Sequence, residues 1–396
     1  MNVSGHLSML PPLSAEEAAH SRAVLAYLHE RIAAAGGCLP FDEFMEIALY
    51  APGLGYYSAG STKIGAAGDF VTAPELSDLF SQCVARQCAE VLGLTGAGSV
   101  ILEYGAGTGR MAATILETLA AMGSLPERYL ILEVSADLRE RQRSAMERLP
   151  ADLQRRVAWL DELPQSPVRG VILANEVLDA LPCERFVMRE GEAKGLGVAV
   201  GPDGVLVECE YELSGALAQA TRQLLDELPE PLADGYRSET CLRIEPWIAS
   251  AMSCLEQGIA LLFDYGLPRA QFYHPQRMDG TLRCHFRQRA HDEPLINVGV
   301  QDLTAWVDFT RVAEAALAAQ LEVRGFVTQT AFLLGSGIDS LAADSSDVST
   351  RTRRAAEARQ LLLPGEMGEA FKVMALARNV DDTPSGFSLQ DLRVSL

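Results

Sequence analysis

The sequence predicts an α/β protein built on a parallel β-sheet. An apolar, β-prone run over 100–102 is followed by a glycine-rich turn and by a helical pattern over 111–119. Three more apolar runs, over 129–135, 157–163 and 168–175, have the character of buried strands, and each carries polar residues at its end. Because strands and helices alternate, we expect the strands to run parallel, with their polar ends at one edge of the sheet.

The glycine-rich turn is the first candidate for a binding site. Gly105, Gly107 and Gly109 stand between a strand and a helix, where backbone N–H groups and the helix dipole can face a ligand. A dinucleotide site has the spacing G-x-G-x-x-G, but the third glycine here comes one position earlier, which disfavours a dehydrogenase. An acid, Glu103, two positions before a G-x-G-x-G run is instead the signature of class I methyltransferases that bind S-adenosylmethionine (SAM). On its own, the run could also be a plain tight turn.

Residues at the next strand ends complete the predicted cofactor site. Glu133 lies 24 positions after the last glycine of the turn, where a carboxylate can accept both ribose hydroxyls of an adenosyl group. The alternative for Glu133 is a solvated acid at a strand end. Val134, beside it, is included in the predicted site. Asp161 and Glu162 are expected to reach the adenine amino group, and Asn175 is expected to face the methionine moiety.

Several blocks of sequence resemble those of the MidA family of SAM-dependent methyltransferases, which includes a mitochondrial complex I assembly factor. The main blocks are 68–75, 103–109, 175–182 and 367–371, and further ones lie at 261–266, 279–283 and 302–309. The resemblance spans roughly residues 15–380 in one register. It implies a Rossmann-like class I methyltransferase fold, SAM as the cofactor, and methylation of an arginine in a partner protein, symmetric in the eukaryotic members.

The chain before the first strand reads as a helical N-terminal extension and cofactor lid over 14–95, preceded by a flexible leader over 1–13. Predicted helices cover 14–35, 41–50 and 72–92. Near the last of these helices, the residues assigned to the sulfonium and carboxylate end of SAM are Gly68, Asp69, Thr72 and Glu75. The simpler alternative is that Thr72 and Glu75 only form a capping box.

The chain after the cofactor-binding core, placed at 96–183, carries an inserted α+β subdomain. The stretch Gly-Pro-Asp-Gly at 201–204 indicates a hairpin, so antiparallel strands are expected in this insertion, which we interpret as facing the substrate. The remaining segments are the insertion itself at 184–257, the rest of the core at 258–380 with a long active-site loop at 266–300, and a tail at 381–396.

Paired acids are the candidate catalytic residues. An arginine side chain is a poor nucleophile, because freeing its proton at neutral pH costs about 9 kcal/mol for a pKa of about 13.8. The site is therefore expected to hold the guanidinium between carboxylates while the proton leaves. Glu176 and Asp179 would share one face if a helical turn begins beyond the fourth strand. Glu245 and Asp264 are further candidates, with helix-capping or strand-end roles as the alternative.

Composition limits the partners. A net charge of −20 argues against nucleic acid or an anionic membrane and suits a cationic target. The eight cysteines show no C-x-x-C pair, so neither a metal site nor a disulfide framework is predicted, and a cytoplasmic location is the simpler interpretation. No apolar run is long enough for a membrane span. The sequence leaves a homodimer open.

Two other functions remain compatible with these observations. One is a methyltransferase that acts on a small molecule, and the other is a non-catalytic assembly chaperone that retains the fold. His285 and His291 are potential proton acceptors, but they lie in a basic segment and are left outside the predicted catalytic set.

Overall fold

The computed structural model describes residues 10–58, 72–344, 346–364 and 367–396. The chain divides into two compact units. The hairpin unit combines Met1–Phe70, Asp179–Ile244 and Arg269–Asp308, and the parallel-sheet unit combines Val71–Leu178, Glu245–Pro268 and Phe309–Leu396. The N-terminal helices therefore group with the predicted insertion and with most of the predicted loop at 266–300.

The helices are α1 (Ala15–Ala34), α2 (Phe41–Tyr50), α3 (Ala73–Leu76), α4 (Asp78–Thr95), α5 (Arg110–Met122), α6 (Ala136–Met146), α7 (Ala151–Gln154), α8 (Gly215–Glu227), α9 (Ile244–Ala251), α10 (Arg269–Phe272), α11 (Phe309–Ala318), α12 (Gln329–Gly335), α13 (Ile338–Ala343) and α14 (Val348–Leu362). The strands are β1 (Leu39–Pro40), β2 (Val100–Tyr104), β3 (Arg128–Leu132), β4 (Val157–Leu160), β5 (Val168–Asn175), β6 (Glu184–Arg189), β7 (Glu192–Val200), β8 (Leu206–Glu212), β9 (Arg237–Thr240), β10 (Leu255–Leu267), β11 (Arg283–Phe286), β12 (Arg289–His291), β13 (Asp302–Thr304), β14 (Val307–Asp308), β15 (Glu322–Thr328) and β16 (Phe371–Arg378).

The sheet of the parallel-sheet unit confirms the predicted α/β fold. Its strand order is β15-β16-β10-β5-β2-β3-β4. The pairs from β10 to β4 are parallel, whereas β16 runs antiparallel to both of its neighbours. After β2 the chain adds β3 and β4 on one side of β2, and it then crosses to the other side to form β5. The direction in which strands are added to the sheet therefore reverses at β2. Ligands of open α/β sheets bind at the carboxyl ends of the strands beside such a reversal.

The C-terminal segment, expected to be a tail, is packed against this unit. The Phe387 ring lies edge-on to Phe332, with the ring centroids 5.5 Å apart. Gly325 leaves room for that ring, because a Cβ at this position would come within 2.2 Å of a Phe387 ring atom. The Leu392 N–H also donates to the Phe326 carbonyl at 2.8 Å. Phe387 therefore belongs to the core of the parallel-sheet unit, and the segment around it is held in place rather than loose.

The hairpin unit is antiparallel, as the turn at 201–204 predicted. Strands β8, β7, β6 and β9 pair in that order, and β1 adds to β7. Its first helix begins where the sequence predicted, because Ser14 and Glu17 form a reciprocal capping box. The prediction of a long loop at 266–300 is wrong. This segment contains α10 and the strands β11 and β12, which form a small sheet with β13.

A disulfide bond joins Cys38 to Cys209, with a Cα–Cα distance of 6.2 Å. It crosses the middle strand at Gly197, which is paired with Cys209. A Cβ on Gly197 would lie 2.5 Å from the Leu39 carbonyl oxygen and 3.0 Å from the Cys38 sulfur, so only glycine fits beneath the bond. The prediction that the cysteines form no disulfide framework is therefore wrong for this pair, because the two cysteines lie far apart in the sequence and match no short motif.

None of the helices in the described ranges is both long and apolar enough to cross a bilayer.

We predict that reduction of Cys38–Cys209 lowers the free energy of unfolding by about 2–5 kcal/mol, because the bond restricts the unfolded chain between cysteines 171 positions apart. Urea unfolding with and without dithiothreitol measures this difference. Cys209→Ser should be insensitive to the reductant, whereas Cys241→Ser, which removes a half-buried thiol of the same unit, should keep the wild-type response. Alkylation of Cys38 and Cys209 in native, unreduced protein would contradict the prediction.

Candidate active site

The glycine turn lies at the carboxyl end of β2, next to the point where the strand order reverses. All three glycines have left-handed backbones, with φ values of 62° at Gly105, 54° at Gly107 and 84° at Gly109. The turn is held to the neighbouring strand by the Gly105 N–H, which donates to the Leu132 carbonyl at 3.1 Å. Helix α5 begins immediately after the turn, so its free N–H groups and positive dipole end lie at this edge.

Glu133 lies one residue beyond β3 and is only 7% exposed. One of its carboxylate oxygens accepts the Ser135 N–H at 2.9 Å, and the other accepts the side-chain amide of Gln142 at 3.0 Å. A carboxylate has about four acceptor positions, so Glu133 keeps acceptor capacity for a ribose hydroxyl. Burial raises the pKa of Glu133, and hydrogen bonds from Ser135, Gln142 and the Val134 backbone counter that rise. Beside it, Val134 is 82% exposed, which leaves an apolar surface for an adenine ring at the sheet edge.

The end of β4 is organised by Arg139 on α6. Its guanidinium bonds the Asp161 carboxylate at 2.6 Å and the carbonyls of Glu133 and Leu160 at 3.1 and 2.8 Å. The Asp161 side chain is 86% exposed, and Glu162 is also exposed. The two acids predicted near adenine therefore lie in solvent beyond β4, with Asp161 fixed by an ion pair.

Glu103, predicted to bind the cofactor, is buried within β2 at 1% exposure. The Tyr129 hydroxyl donates to its carboxylate at 2.8 Å. Desolvation raises the pKa of Glu103 to about 7, although the Tyr129 hydrogen bond acts in the opposite direction. Its side chain therefore supports the strand from inside the core.

The segment before α4 is tied to the glycine turn. The Thr108 hydroxyl donates to the Glu75 carboxylate, and the Arg110 guanidinium donates to the Glu75 carbonyl at 2.7 Å. The Thr72 side chain makes no capping hydrogen bond, so the capping-box alternative is wrong. The predicted helix over 72–92 is broken at Ser77, which ends α3 and caps α4.

Two further residues assigned to this segment, Gly68 and Asp69, lie outside the described residues.

Asn175 and Glu176 lie at the end of β5. Within the described part of the chain, the Asn175 side-chain oxygen is buried and has no hydrogen-bond partner. Its amide nitrogen donates to the Glu176 carboxylate at 3.1 Å. The Glu176 backbone is left-handed, with φ of 52°, and no helix follows it, so the expected helical turn through Asp179 is wrong. Strained non-glycine backbones are concentrated at functional sites, which favours a role for Glu176.

The other predicted acids have different surroundings. Asp264 is 1% exposed and accepts the backbone N–H groups of Leu178 and Tyr265, both at 2.9 Å. It therefore holds the turn that follows Glu176. Glu245 is about half exposed and forms an ion pair with Arg311 at 2.6 Å.

Asp179 belongs to the hairpin unit, where it is 3% exposed and its carbonyl accepts the Ala305 N–H at 3.0 Å.

The edge of the parallel sheet fits SAM. The glycine turn presents bare backbone, Glu133 keeps acceptor capacity for the ribose, and Val134 offers an apolar contact. Among the residues that the structure describes, none donates to the Asn175 side-chain oxygen. Over the described ranges, no group of three or more His, Cys, Asp or Glu residues has metal-binding geometry.

Two residues that complete this edge were missed by sequence reasoning. Gln142 on α6 bonds both Glu133 and the Gly107 carbonyl, and the indole of Trp159 donates to Gln142. The sequence contained one indication that Gln142 is buried. It lies between Leu138 and Met146 at helical spacing, in a stripe that is otherwise apolar.

We predict that Glu103→Gln raises stability relative to the wild type above about pH 7. The folded state keeps the Glu103 proton up to a pKa of about 7, whereas a glutamate in the unfolded chain has a pKa of about 4.3. Wild-type stability should therefore fall as pH rises through this window, by about 3 kcal/mol, while glutamine carries no such cost.

Urea unfolding between pH 4.5 and 8 measures this effect. Glu127→Gln, at an exposed acid of the same unit, serves as the control. A stability difference between Glu103→Gln and the wild type that does not change with pH would contradict the prediction.

Comparisons with known proteins agree with this geometry. Residues 83–327 match a family described as S-adenosyl-L-methionine-dependent methyltransferases. A Burkholderia thailandensis protein crystallised with S-adenosyl-homocysteine is 38% identical, with a TM-score of 0.92 over 98% of this chain and 100% of that one. The protein arginine methyltransferase NDUFAF7, mitochondrial, is 28% identical in Danio rerio, over 90% of this chain and 87% of that protein. The same-named human protein is 27% identical, over 86% and 80%. This chain belongs to the MidA family of SAM-dependent methyltransferases.

Proposed function

We propose that this chain transfers a methyl group from SAM to an arginine side chain of a partner protein. The single observation that carries the proposal is the position of Glu176, which has a left-handed backbone at the end of β5 and lies beside the Asn175 amide oxygen, for which the described residues supply no hydrogen-bond donor. The names of the relatives, which are protein arginine methyltransferases, support the same substrate class.

SAM supplies a methyl group already activated by a sulfonium cation. The protein's main task is then alignment of donor and acceptor, an effect worth about 7–11 kcal/mol when the geometry is close to attack. The glycine turn and Glu133 would hold the adenosyl part, and Asn175 would bond the methionine part. The hydrogen bonds of Arg139 fix the ends of β3 and β4 and so keep this edge rigid.

The role of Glu176 is to bind and orient the guanidinium. A carboxylate can accept two parallel N–H groups of an arginine, which fixes the plane of the group. The guanidinium passes its proton to water as the new C–N bond forms and the bond from the methyl carbon to the sulfonium sulfur breaks, which leaves S-adenosyl-homocysteine, because prior deprotonation is too costly. Asp264 is a positioning residue, since its carboxylate accepts the Leu178 N–H two residues beyond Glu176. Asp179 and Glu245 stay predictions from the sequence.

Three further features belong to the proposal. The cytoplasm is the proposed location of this chain, although the Danio rerio and human relatives are named as mitochondrial proteins. The net charge of −20 supports a cationic protein as the partner over nucleic acid or an anionic membrane. Symmetric dimethylation is what the resemblance implies, and the sequence leaves a homodimer open.

We predict that Glu176→Gln abolishes methyl transfer but changes the affinity for S-adenosyl-homocysteine by no more than a few-fold. Glutamine keeps the size of the side chain but loses the charge that binds a guanidinium. Calorimetry measures the affinity, and transfer of radiolabel from SAM measures activity. Glu190→Gln is a matched control, because Glu190 is an exposed acid with the same left-handed backbone, at φ of 53°. Lost cofactor binding in Glu176→Gln would instead assign Glu176 to the SAM site.

We also predict that deletion of the gene removes specific methylarginines from the host proteome. Mass spectrometry of arginine methylation, with the gene present, deleted and restored, identifies the target and separates monomethylation from symmetric dimethylation. In a cell extract, label from SAM should enter protein. Label found only in the low-mass fraction would contradict a protein substrate.

A further inference from the structure

A glutamine on α6 connects three parts of the cofactor edge that are distant in sequence. Gln142 is completely buried, and its amide nitrogen donates to the Gly107 carbonyl and to the Glu133 carboxylate, both at 3.0 Å. Its amide oxygen accepts the Trp159 indole N–H, also at 3.0 Å. The amide thus bonds the glycine turn, the acid after β3 and strand β4.

These contacts leave the amide only one orientation. A side-chain amide has two N–H donors, and both are used by acceptors that cannot donate in return. The indole N–H can only donate, so it must face the amide oxygen. A flipped Gln142 would place two donors against each other and an oxygen against a carboxylate.

The backbone of α6 at Gln142 also lies close to the glycine turn. A Cβ on Gly109 would lie 3.0 Å from the Gln142 Cα and 3.3 Å from its Cβ and Cγ. Helix α6 therefore passes in direct contact with the glycine turn. The flanking residues Leu138 and Met146 are apolar and buried, so nothing on that face of α6 competes for the amide.

We propose that Gln142 is a positioning residue for the cofactor, which aims the Glu133 carboxylate at the ribose and fixes the Gly107 carbonyl of the turn. It is not expected to touch the reacting atoms. A purely structural glutamine would contribute only to stability, whereas this one should also control the protonation and direction of the acid that binds the ribose.

The charged groups near Glu133 define the electrostatic background for a test. Arg139 on α6 donates to the Glu133 carbonyl and is paired with Asp161 beyond β4. Glu103 in β2 is the neighbouring buried acid, and the two carboxylates repel each other. Burial raises the pKa of Glu133 and the hydrogen bond from Gln142 lowers it, so removal of that bond leaves the acid more easily protonated.

The experiment is a titration of the full-length protein with S-adenosyl-homocysteine at pH 8.5 and pH 6. In Gln142→Met, which keeps the length of the side chain, we expect affinity to fall about tenfold at pH 8.5, the size of one hydrogen bond to a charged group. The loss should be larger at pH 6, because loss of the Gln142 hydrogen bond raises the pKa of Glu133 further and the protonated fraction, which is the weaker acceptor for ribose hydroxyls, grows as the pH falls.

Gln87→Met is the matched control. Gln87 is also completely buried, on α4, and it bonds Ser385 and Gly386, far along the chain from the cofactor residues. This variant should lose stability but keep wild-type affinity at both pH values. Equal affinity losses in the two methionine variants would overturn the proposal, as would a loss in Gln142→Met that does not depend on pH.

A second variant keeps the test valid if Gln142→Met does not fold. Trp159→Phe removes the donor that fixes the amide orientation and leaves Gln142 in place. We expect a smaller affinity loss that also grows from pH 8.5 to pH 6. Wild-type affinity of Trp159→Phe at both pH values would count against the proposal.

Discussion

Buried carboxylates can persist at the edge of the sheet only because each has its own hydrogen-bond donors. Ionised acids away from water are costly unless they are bonded. Glu103 has the Tyr129 hydroxyl, Glu133 has the Ser135 N–H and Gln142, and Asp264 has two backbone N–H groups. The donors fix the orientation of each carboxylate. That orientation decides whether the carboxylate only stabilises the fold or can also bind a ligand.

The acidic residues of the predicted site fall into two groups according to their burial and their hydrogen-bond donors. Asp161 forms its ion pair largely in water, where such pairs contribute little to stability, whereas Glu245 is about half exposed and pairs with the buried Arg311. Glu133 and Asp264 are buried and held by directed bonds, so their oxygens have fixed positions. Fixed positions are what alignment of a methyl donor with its acceptor requires.

The sequence predicted those features that depend on local patterns. The strand–glycine–helix unit around Gly105 and the helix over 41–50 were visible because their periodicity, turn residues and stop signals are contiguous. Glu133 was found because the distance from the turn to the next strand end is nearly constant in such folds. The turn at 201–204 likewise fixed the antiparallel hairpin.

Features that depend on tertiary contacts were missed. The Cys38–Cys209 bond joins strands that meet only after folding, and the small sheet within 266–300 pairs short segments without periodicity. Gln142 looks like an ordinary helical residue until α6 is placed against the turn. The left-handed backbone of Glu176 could not be expected either. The residues around it are compatible with a helical turn after β5, so nothing in the sequence indicated this conformation.

The aromatic contact between Phe332 and Phe387 also has a consequence for how this molecule is made. The parallel-sheet unit is assembled from separate stretches of chain, and residues 384–392 pack against its sheet. The Phe387 ring occupies the space that Gly325 leaves. The unit that carries the cofactor edge therefore reaches its final packing only after residues 384–392 have been synthesised, more than 270 positions after its glycine turn.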